Sequence, residues 1–126
     1  MGISLQNVVI PSSQFAESVA FYRDGLGLDI LNEGPGFCFL KAGSVNIAIH
    51  PADTSSEFHP TGHGYYLDFY VTDLASVKER LVRTGYGSSV GREWEDESLQ
   101  YILVSDPDGN LLEIVESKVT SGLRPH

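Results

Sequence analysis

The sequence predicts an α+β domain in which two βαβββ modules form a curled, mixed eight-stranded sheet around a cleft. Short segments with alternating apolar residues surround two segments with helical periodicity, and turn residues separate them. The order of elements in the first half then recurs in the second half. We expect one domain over residues 1–118, with module one at about 3–51, a connector at 52–63, module two at about 64–118 and a loose tail at 119–126.

The first module begins with the strand SLQNVVI, which leads into Pro11, Ser12 and Ser13. The two serine hydroxyls suit the N-cap of a helix. The helix QFAESVAFYRDGLG follows, with apolar residues at helical spacing and glycines that end it. The turns EGPG and Ala42-Gly43 then separate three predicted strands, near residues 28–32, 37–41 and 44–50.

The second module repeats this order with the strand YYLDFYV, Asp73 as an N-cap and the helix LASVKERLVRTG. The segment DPDGN is expected to form a tight turn before the last strand, because Asp-Pro and Asp-Gly both favour chain reversal. The three strands after the helix are predicted near residues 88–92, 99–104 and 111–116.

Alternation along each strand predicts which side chains face the helices and which face the cleft. The apolar positions belong under the helices, so the positions between them face the cleft. Tyrosines and acidic residues at those positions favour a ligand cleft over a plain solvent-exposed surface. The cleft-facing residues predicted on the fourth, fifth and eighth strands are Asn46, Ala48, His50, Tyr66, Asp68, Tyr70, Leu111, Glu113 and Val115.

Composition excludes several classes of function. Eight basic and seventeen acidic residues give a net charge of −9, which would repel nucleic acid. There is no apolar run long enough for a membrane span and no signal-peptide pattern at the start, so we expect a cytoplasmic protein without membrane contact. The single cysteine, Cys38, has no partner for a disulfide and is expected to be a small core residue.

Three stretches, SVAFYRDGLGL, YVTDLASVKERL and DPDGNLLEIVE, make the chain similar to the vicinal oxygen chelate superfamily. This superfamily includes glyoxalase I, bleomycin-resistance proteins and extradiol dioxygenases, and the resemblance runs from about Leu5 to Glu116. It implies a glyoxalase-like fold, a homodimer and a cleft where modules meet. In the enzymes of the family, one side chain each from strands one, four, five and eight binds a divalent metal.

Carried over to this chain, the first ligand position, normally His, falls on Asn7, and the fifth-strand position, also His, falls on Tyr66. The eighth-strand Glu is kept as Glu113, and the fourth-strand position falls on Ala48, with His50 one step further along the same face. Asn is a weak ligand, Tyr must lose a proton with a pKa of about 10, and Ala has no donor atom. We therefore expect no metal cofactor; the alternative is Zn, Ni, Mn or Fe held by Glu113, His50 and Tyr66.

Glu113 without a metal has three interpretations. It is a hydrogen-bond anchor for a ligand, a general base, or a carboxylate satisfied by Asn7 and Tyr66. We favour the anchor. A relocated metal site of His50, His59 and His63 is the weaker interpretation of the histidines, because two of them lie in the polar connector.

Aromatic side chains are the remaining candidates for ligand contact. Tyr65, Tyr66, Tyr70, Trp94 and Tyr101 are suited to stack on a flat molecule, as in metal-free drug-binding relatives, although some are alternatively core or dimer contacts. The acidic stretch GREWEDES around Trp94 is predicted to be turn-like, which makes Trp94 a binding-loop or dimer contact, or simply an exposed residue.

These observations favour a metal-independent small-molecule binding protein of the bleomycin-resistance type that forms a homodimer. The alternative is an enzyme of the same fold, a lyase, isomerase or dioxygenase, that uses Glu113 as a base or an atypical divalent metal site. A third hypothesis is a dimeric scaffold without current chemistry. The predicted ligand-binding residues are Asn7, His50, Tyr66, Asp68, Tyr70, Trp94, Tyr101 and Glu113.

Overall fold

Strands dominate the structure, a computed structural model that describes residues 2, 5–52 and 67–119. No helix in these ranges is long and apolar enough to cross a bilayer. The strands and α-helices are β1 (Asn7–Ser12), α1 (Phe15–Ala20), β2 (Ile30–Gly34), β3 (Phe37–Ala42), β4 (Val45–Pro51), β5 (Leu67–Tyr70), α2 (Leu74–Arg83), β6 (Val90–Glu95), β7 (Leu99–Ser105) and β8 (Leu111–Ser117). The first helix continues as a π-helix over Phe21–Gly25, and Gly87–Ser89 forms a short 3-10 helix.

The predicted pair of βαβββ modules is confirmed. The chain divides into two compact units, residues 1–61 and 62–126, and each unit has its own four-stranded sheet. The strand orders are β1-β4-β3-β2 and β5-β8-β7-β6. In each sheet the first strand of the module pairs in parallel with the last, and the remaining pairs are antiparallel. Residues 53–66 of the connector region and 120–126 of the tail lie outside the described residues.

The start of α1 differs from the prediction. Its N-cap residue is Gln14, which makes no side-chain capping hydrogen bond, so the expected cap by Ser12 or Ser13 is wrong. The physical reason is that Ser12 still belongs to β1 and is buried there. Its hydroxyl lies 2.7 Å from the hydroxyl of Ser18 and accepts a hydrogen bond from the Gln14 N–H at 3.0 Å. This buried pair ties the end of β1 to the helix.

The start of α2 follows the prediction. The Asp73 carboxylate accepts hydrogen bonds from the Ser76 N–H at 3.1 Å and from the Ser76 hydroxyl at 2.7 Å, which confirms Asp73 as the N-cap. These bonds lower the pKa of the Asp73 carboxyl, because they favour its charged form. Within the helix, the side chains of Leu74 and Leu81 are buried.

The DPDGN segment forms the predicted tight turn between β7 and β8. Asp106 is only 4% exposed, and its carboxylate accepts hydrogen bonds from the Asp108 N–H (3.0 Å), the Asn110 N–H (2.8 Å) and the Asn110 side-chain amide (2.9 Å). Gly109 adopts a φ of 84°, a backbone conformation that favours glycine. The turn places Ser105 opposite Leu111 at the start of β8.

In the last strand of each module the apolar positions are buried as predicted, but Ala48 and Val115, which were predicted to face the cleft, are buried as well, at 1% and 2% exposure. Ile47 and Ile49 of β4, and Leu112 and Ile114 of β8, are buried apolar residues. Cys38, on β3, is buried as expected, and burial raises the pKa of its thiol, with the negative charge of Glu33 adding to the effect.

Candidate functional site

Two contacts define which face of the second sheet is turned toward α2. Lys78 of α2 forms an ion pair with Glu93 of β6, and the backbone of Leu74 donates a hydrogen bond to Glu116 of β8. Because successive side chains of a strand point to opposite faces, the residues next to Glu93 and Glu116 point away from the helix. We call this second surface the distal face.

A continuous row of residues crosses all four strands on the distal face. The register places Tyr70 of β5 opposite Val115 of β8, Val115 opposite Tyr101 of β7, and Tyr101 opposite Trp94 of β6. Side chains directly opposite each other in a sheet are close enough to touch. We call these four residues the aromatic row. Tyr70, Tyr101 and Trp94 supply its three rings, and Val115 lies between Tyr70 and Tyr101.

The exposure of the aromatic row is graded. Val115 is only 2% exposed although it points away from the helix, so neighbouring side chains cover it. Tyr70 and Tyr101 are partly buried, and Trp94 at the edge is 45% exposed. Rings that are partly buried but still reach solvent can stack on a flat molecule.

Two carboxylates lie next to the aromatic row. Asp68 of β5 is directly opposite Glu113 of β8, and both stand two residues before a member of the aromatic row on the same strand. Two residues along a strand return to the same face, so this acidic pair shares the distal face. Five predicted ligand-binding residues thus meet on one surface: Asp68, Tyr70, Trp94, Tyr101 and Glu113.

The environment of Trp94 corrects the sequence prediction. Trp94 belongs to strand β6, and the turn begins after it, where the Asp96 carboxylate accepts hydrogen bonds from the N–H groups of Ser98 (2.8 Å) and Leu99 (3.1 Å). These bonds lower the pKa of the Asp96 carboxyl. The guanidinium carbon of Arg92 lies 5.7 Å from the centre of the Trp94 ring, within the range of a cation–π interaction.

The predicted residues of the first module lie on one face of the first sheet. Asn7 is opposite Asn46, Val9 is opposite Ala48, and Pro11 is opposite His50. Val9, the partner of Ala48 on β1, lies two residues after Asn7. In the same way, Asp68, the partner of Glu113 on β5, lies two residues after position 66. Ala48 therefore holds the place in the first module that Glu113 holds in the second. The remaining candidates, Tyr65, Tyr66, His59 and His63, lie outside the described residues.

The residues at the family's metal positions do not fit a divalent metal. Ala48 has no donor atom, and the amide of Asn7 is a neutral, weak ligand. Across residues 5–52 and 67–119, no three His, Cys, Asp or Glu side chains are grouped so that they could hold a metal ion. The chemistry of the distal face is that of its rings and charged groups.

A groove on the helix side of the second sheet was not anticipated from the sequence. It has a volume of about 510 Å³ and opens between α2 and strands β6 and β7. Glu116 lies on this side, where its carboxylate also accepts a hydrogen bond from the Gln100 side-chain amide at 3.2 Å. On the helix side the groove is lined by Leu74, Ala75, Lys78, Glu93, Glu95, Gln100 and Ile102, and it is also bordered by Trp94 and Tyr101, the members of the aromatic row on the same two strands.

Comparison with known proteins decides the family. The model of the glyoxalase/bleomycin resistance protein/dioxygenase superfamily matches residues 4–114. The chain belongs to this superfamily. No curated protein matches the sequence significantly. The identification agrees with the resemblance carried by the motifs around Tyr22, Asp73 and Asp106.

Several solved structures share the fold. Lactoylglutathione lyase from Agrobacterium tumefaciens is 22% identical, with a TM-score of 0.70 over 96% of this chain and 98% of its own. TnmS3, an antibiotic-binding protein from a Streptomyces species, is 22% identical, with a TM-score of 0.73 over 94% and 99%. A glyoxalase family protein from Bacillus anthracis is 26% identical, with a TM-score of 0.68 over 94% and 96%.

Proposed function

We propose that this superfamily member binds a planar organic molecule, without a metal, on the distal face of its second module. The observation that carries the proposal is the register that aligns Tyr70, Tyr101 and Trp94 across the sheet beside Asp68 and Glu113. In this site the rings stack on the ligand and the carboxylates orient it. Asn7, His50 and Tyr66 remain proposed ligand-binding residues from the sequence, as does the homodimer.

The aromatic row provides the apolar part of the binding energy. Stacking a ring on an aromatic side chain contributes about 0.5–1.5 kcal/mol beyond the burial of apolar area. Val115 is already buried between Tyr70 and Tyr101 in the row, so the floor under a ligand is closed. A flat molecule would then bury the exposed parts of the rings without opening a cavity.

The acidic pair provides the polar part. Glu113 is partly buried, and a carboxylate in that setting forms stronger hydrogen bonds than one in open water. The net charge of −9 adds a favourable field for a cationic group near this face. We therefore assign Glu113 the role of anchor rather than of base.

A solved structure with a similar fold is that of a protein that binds a small molecule. TnmS3 is described as an antibiotic-binding protein, and its fold matches almost the whole of this chain. That similarity supports small-molecule binding as a function available to the fold. The identity of 22% leaves the ligand of this chain to be found by experiment.

The chain offers a direct reporter for such an experiment, because Trp94 is its single tryptophan and lies in the aromatic row. A library of planar organic compounds is screened by thermal shift, and hits are confirmed by a change in tryptophan fluorescence. A ligand at about 100 times its dissociation constant stabilises the native protein by roughly 2.7 kcal/mol. Absence of any hit that changes Trp94 emission would contradict the proposal.

Variants localise the binding to the distal face. Tyr101→Leu keeps an apolar side chain but removes the central ring, so we expect at least a tenfold loss of affinity for a confirmed hit. Tyr86→Leu removes a ring from the segment between α2 and β6 and serves as the matched control, with unchanged affinity. Equal effects of the two substitutions would place the ligand elsewhere.

Two further measurements separate binding from catalysis and from a metal site. Elemental analysis of untagged protein that finds near-stoichiometric Zn, Ni, Mn or Fe would contradict metal-independent binding. If a hit is also converted to product, Glu113→Gln should abolish turnover while affinity is kept, and that result would replace the anchor by a base.

A further inference from the structure

Arg92 introduces a positive charge at the edge of the distal face. The register of β6 shifts between Val90 and Glu93, but the guanidinium group of Arg92 stands over the ring of Trp94, which places the two side chains on the same face. The ion pairs found within residues 5–52 and 67–119 are Arg23 with Asp24, Lys78 with Glu93, Arg83 with Glu79 and Lys118 with Glu95. Among these described residues, the guanidinium of Arg92 contacts the ring of Trp94 and forms no ion pair with a carboxylate.

The opposite side of the same face carries negative charge. Asp68 and Glu113 are directly opposite each other on neighbouring strands. Like charges in that position are unfavourable, and a cation close to both carboxylates lowers this cost. The distal face is therefore acidic over β5 and β8 and basic over β6.

The spacing between the two charged ends is set by the sheet. Glu113 is on β8 and Arg92 is on β6, with β7 between them. Two strand intervals of about 4.8 Å each separate the two backbones by about 10 Å. Leu103, which is opposite Glu113, and Tyr101 of the aromatic row lie on the β7 stretch between the charges. The floor between acid and base is apolar and aromatic.

We infer that the distal face selects a dipolar planar molecule, with a protonated amine at Asp68 and Glu113 and a carboxylate or similar anion at Arg92. This inference rests on the proposed function and adds the class of ligand and its direction across the strands. Guanidinium is always charged and offers two parallel N–H donors that match a carboxylate. Arg92 is thereby assigned as the residue that distinguishes a dipolar ligand from a purely cationic one.

Three probes built on the same naphthalene ring, which differ only in their charged substituents, test the inference by isothermal titration calorimetry at pH 7. They are 6-(aminomethyl)-2-naphthoic acid, which carries both charges, 2-(aminomethyl)naphthalene, which carries only the amine, and 2-naphthoic acid, which carries only the carboxylate. We expect the dipolar probe to bind about tenfold more tightly than the amine, and the acid to bind most weakly because the protein is strongly anionic.

Single substitutions test which residue binds each charged end of the dipolar probe. Arg92→Gln should remove the tenfold preference for the dipolar probe over the amine. Arg83→Gln, at an exposed position of α2 where the arginine pairs with Glu79, is the matched charge control and should change neither affinity. Glu113→Gln should weaken the amine and the dipolar probe alike.

The outcomes distinguish the inference from the function on which it rests. If the amine binds and the dipolar probe binds no more tightly, or if the preference survives Arg92→Gln, the dipolar assignment is wrong and planar ligand binding stands. If none of the three probes binds at millimolar concentration, the proposed function is contradicted and the dipolar assignment with it.

Discussion

The carboxylate of Glu116 accepts a hydrogen bond from the backbone N–H of Leu74 at 2.7 Å. Glu116 lies near the end of β8, whereas Leu74 is the first residue of α2, so the bond ties the last strand of the module to its helix across 42 positions of sequence. A helix N-terminus has N–H groups without intrahelical partners and favours negative charge. Together with Asp73, Glu116 gives α2 two acidic acceptors at its start.

Removing the Glu116 carboxylate should destabilise the second module. We expect Glu116→Ala to lower the free energy of unfolding by about 1–2 kcal/mol, because the Leu74 N–H and the Gln100 amide both lose an acceptor. Glu116→Gln keeps an acceptor oxygen and should lose less. Urea denaturation measures both, with the exposed Glu97→Ala as a charge control. A loss in Glu97→Ala as large as that in Glu116→Ala would argue against the helix cap.

The Asp73 cap predicts a pH dependence of stability. Hydrogen bonds from Ser76 lower the pKa of Asp73 in the folded protein, so its stabilising effect is fully present above the unfolded pKa of about 3.9. The effect is lost as the pH falls from there through the folded pKa. Asp73→Asn keeps a capping oxygen that does not titrate, and this variant should lose less stability than the native protein between pH 5 and pH 3. Parallel stability curves for the two proteins would contradict this prediction.

The Asp106 turn should be sensitive to its carboxylate. Asp106→Ala removes the acceptor of three hydrogen bonds at a buried position, and we expect a loss of roughly 2–4 kcal/mol in urea denaturation. Asp106→Asn retains one acceptor oxygen and should fall between Ala and the native residue. The exposed neighbour Ser105 gives the control Ser105→Ala, expected to be close to neutral.

Cys38 should react only when its module opens. The thiol is buried and its pKa is raised, so both access and thiolate are limited in the native state. We expect Ellman's reagent at pH 8 to label the native protein at least about 100-fold more slowly than the urea-unfolded chain. Rapid stoichiometric labelling of the native protein would show that the first sheet opens readily around β3.

Local chemistry made part of this structure predictable. Asp73 and the DPDGN segment act through neighbours three or four residues away, and both were recognised in the sequence. The alternation of β8 also placed Glu113 and Val115 on the correct face, because one side of that strand is consistently apolar.

The features that were not predicted depend on distant partners. A strand was predicted near residues 88–92, but β6 extends to Glu95 into a segment with few apolar residues that was expected to form a turn. In the structure, Glu93 is paired with Lys78 of α2 and Glu95 with Lys118, which follows β8. The contact of Glu116 with Leu74 likewise has no local signal, because its partner is far away in the chain. Ion pairs and hydrogen bonds between distant residues thus stabilise β6 and the start of α2 in ways that the local sequence pattern does not predict.

The turn at Asp106 also determines the position of a residue that it does not contact. Because it pairs Ser105 with Leu111, the antiparallel register continues to bring Glu113 opposite Leu103, and the parallel register of β5 then brings Asp68 to Glu113. Inserting a single residue between Asp108 and Leu111 would exchange the two sides of β8, turning Glu113 toward α2 and withdrawing Glu116 from it. The length of this one hairpin loop thus determines both whether Glu113 lies on the distal face and whether Glu116 reaches the start of α2.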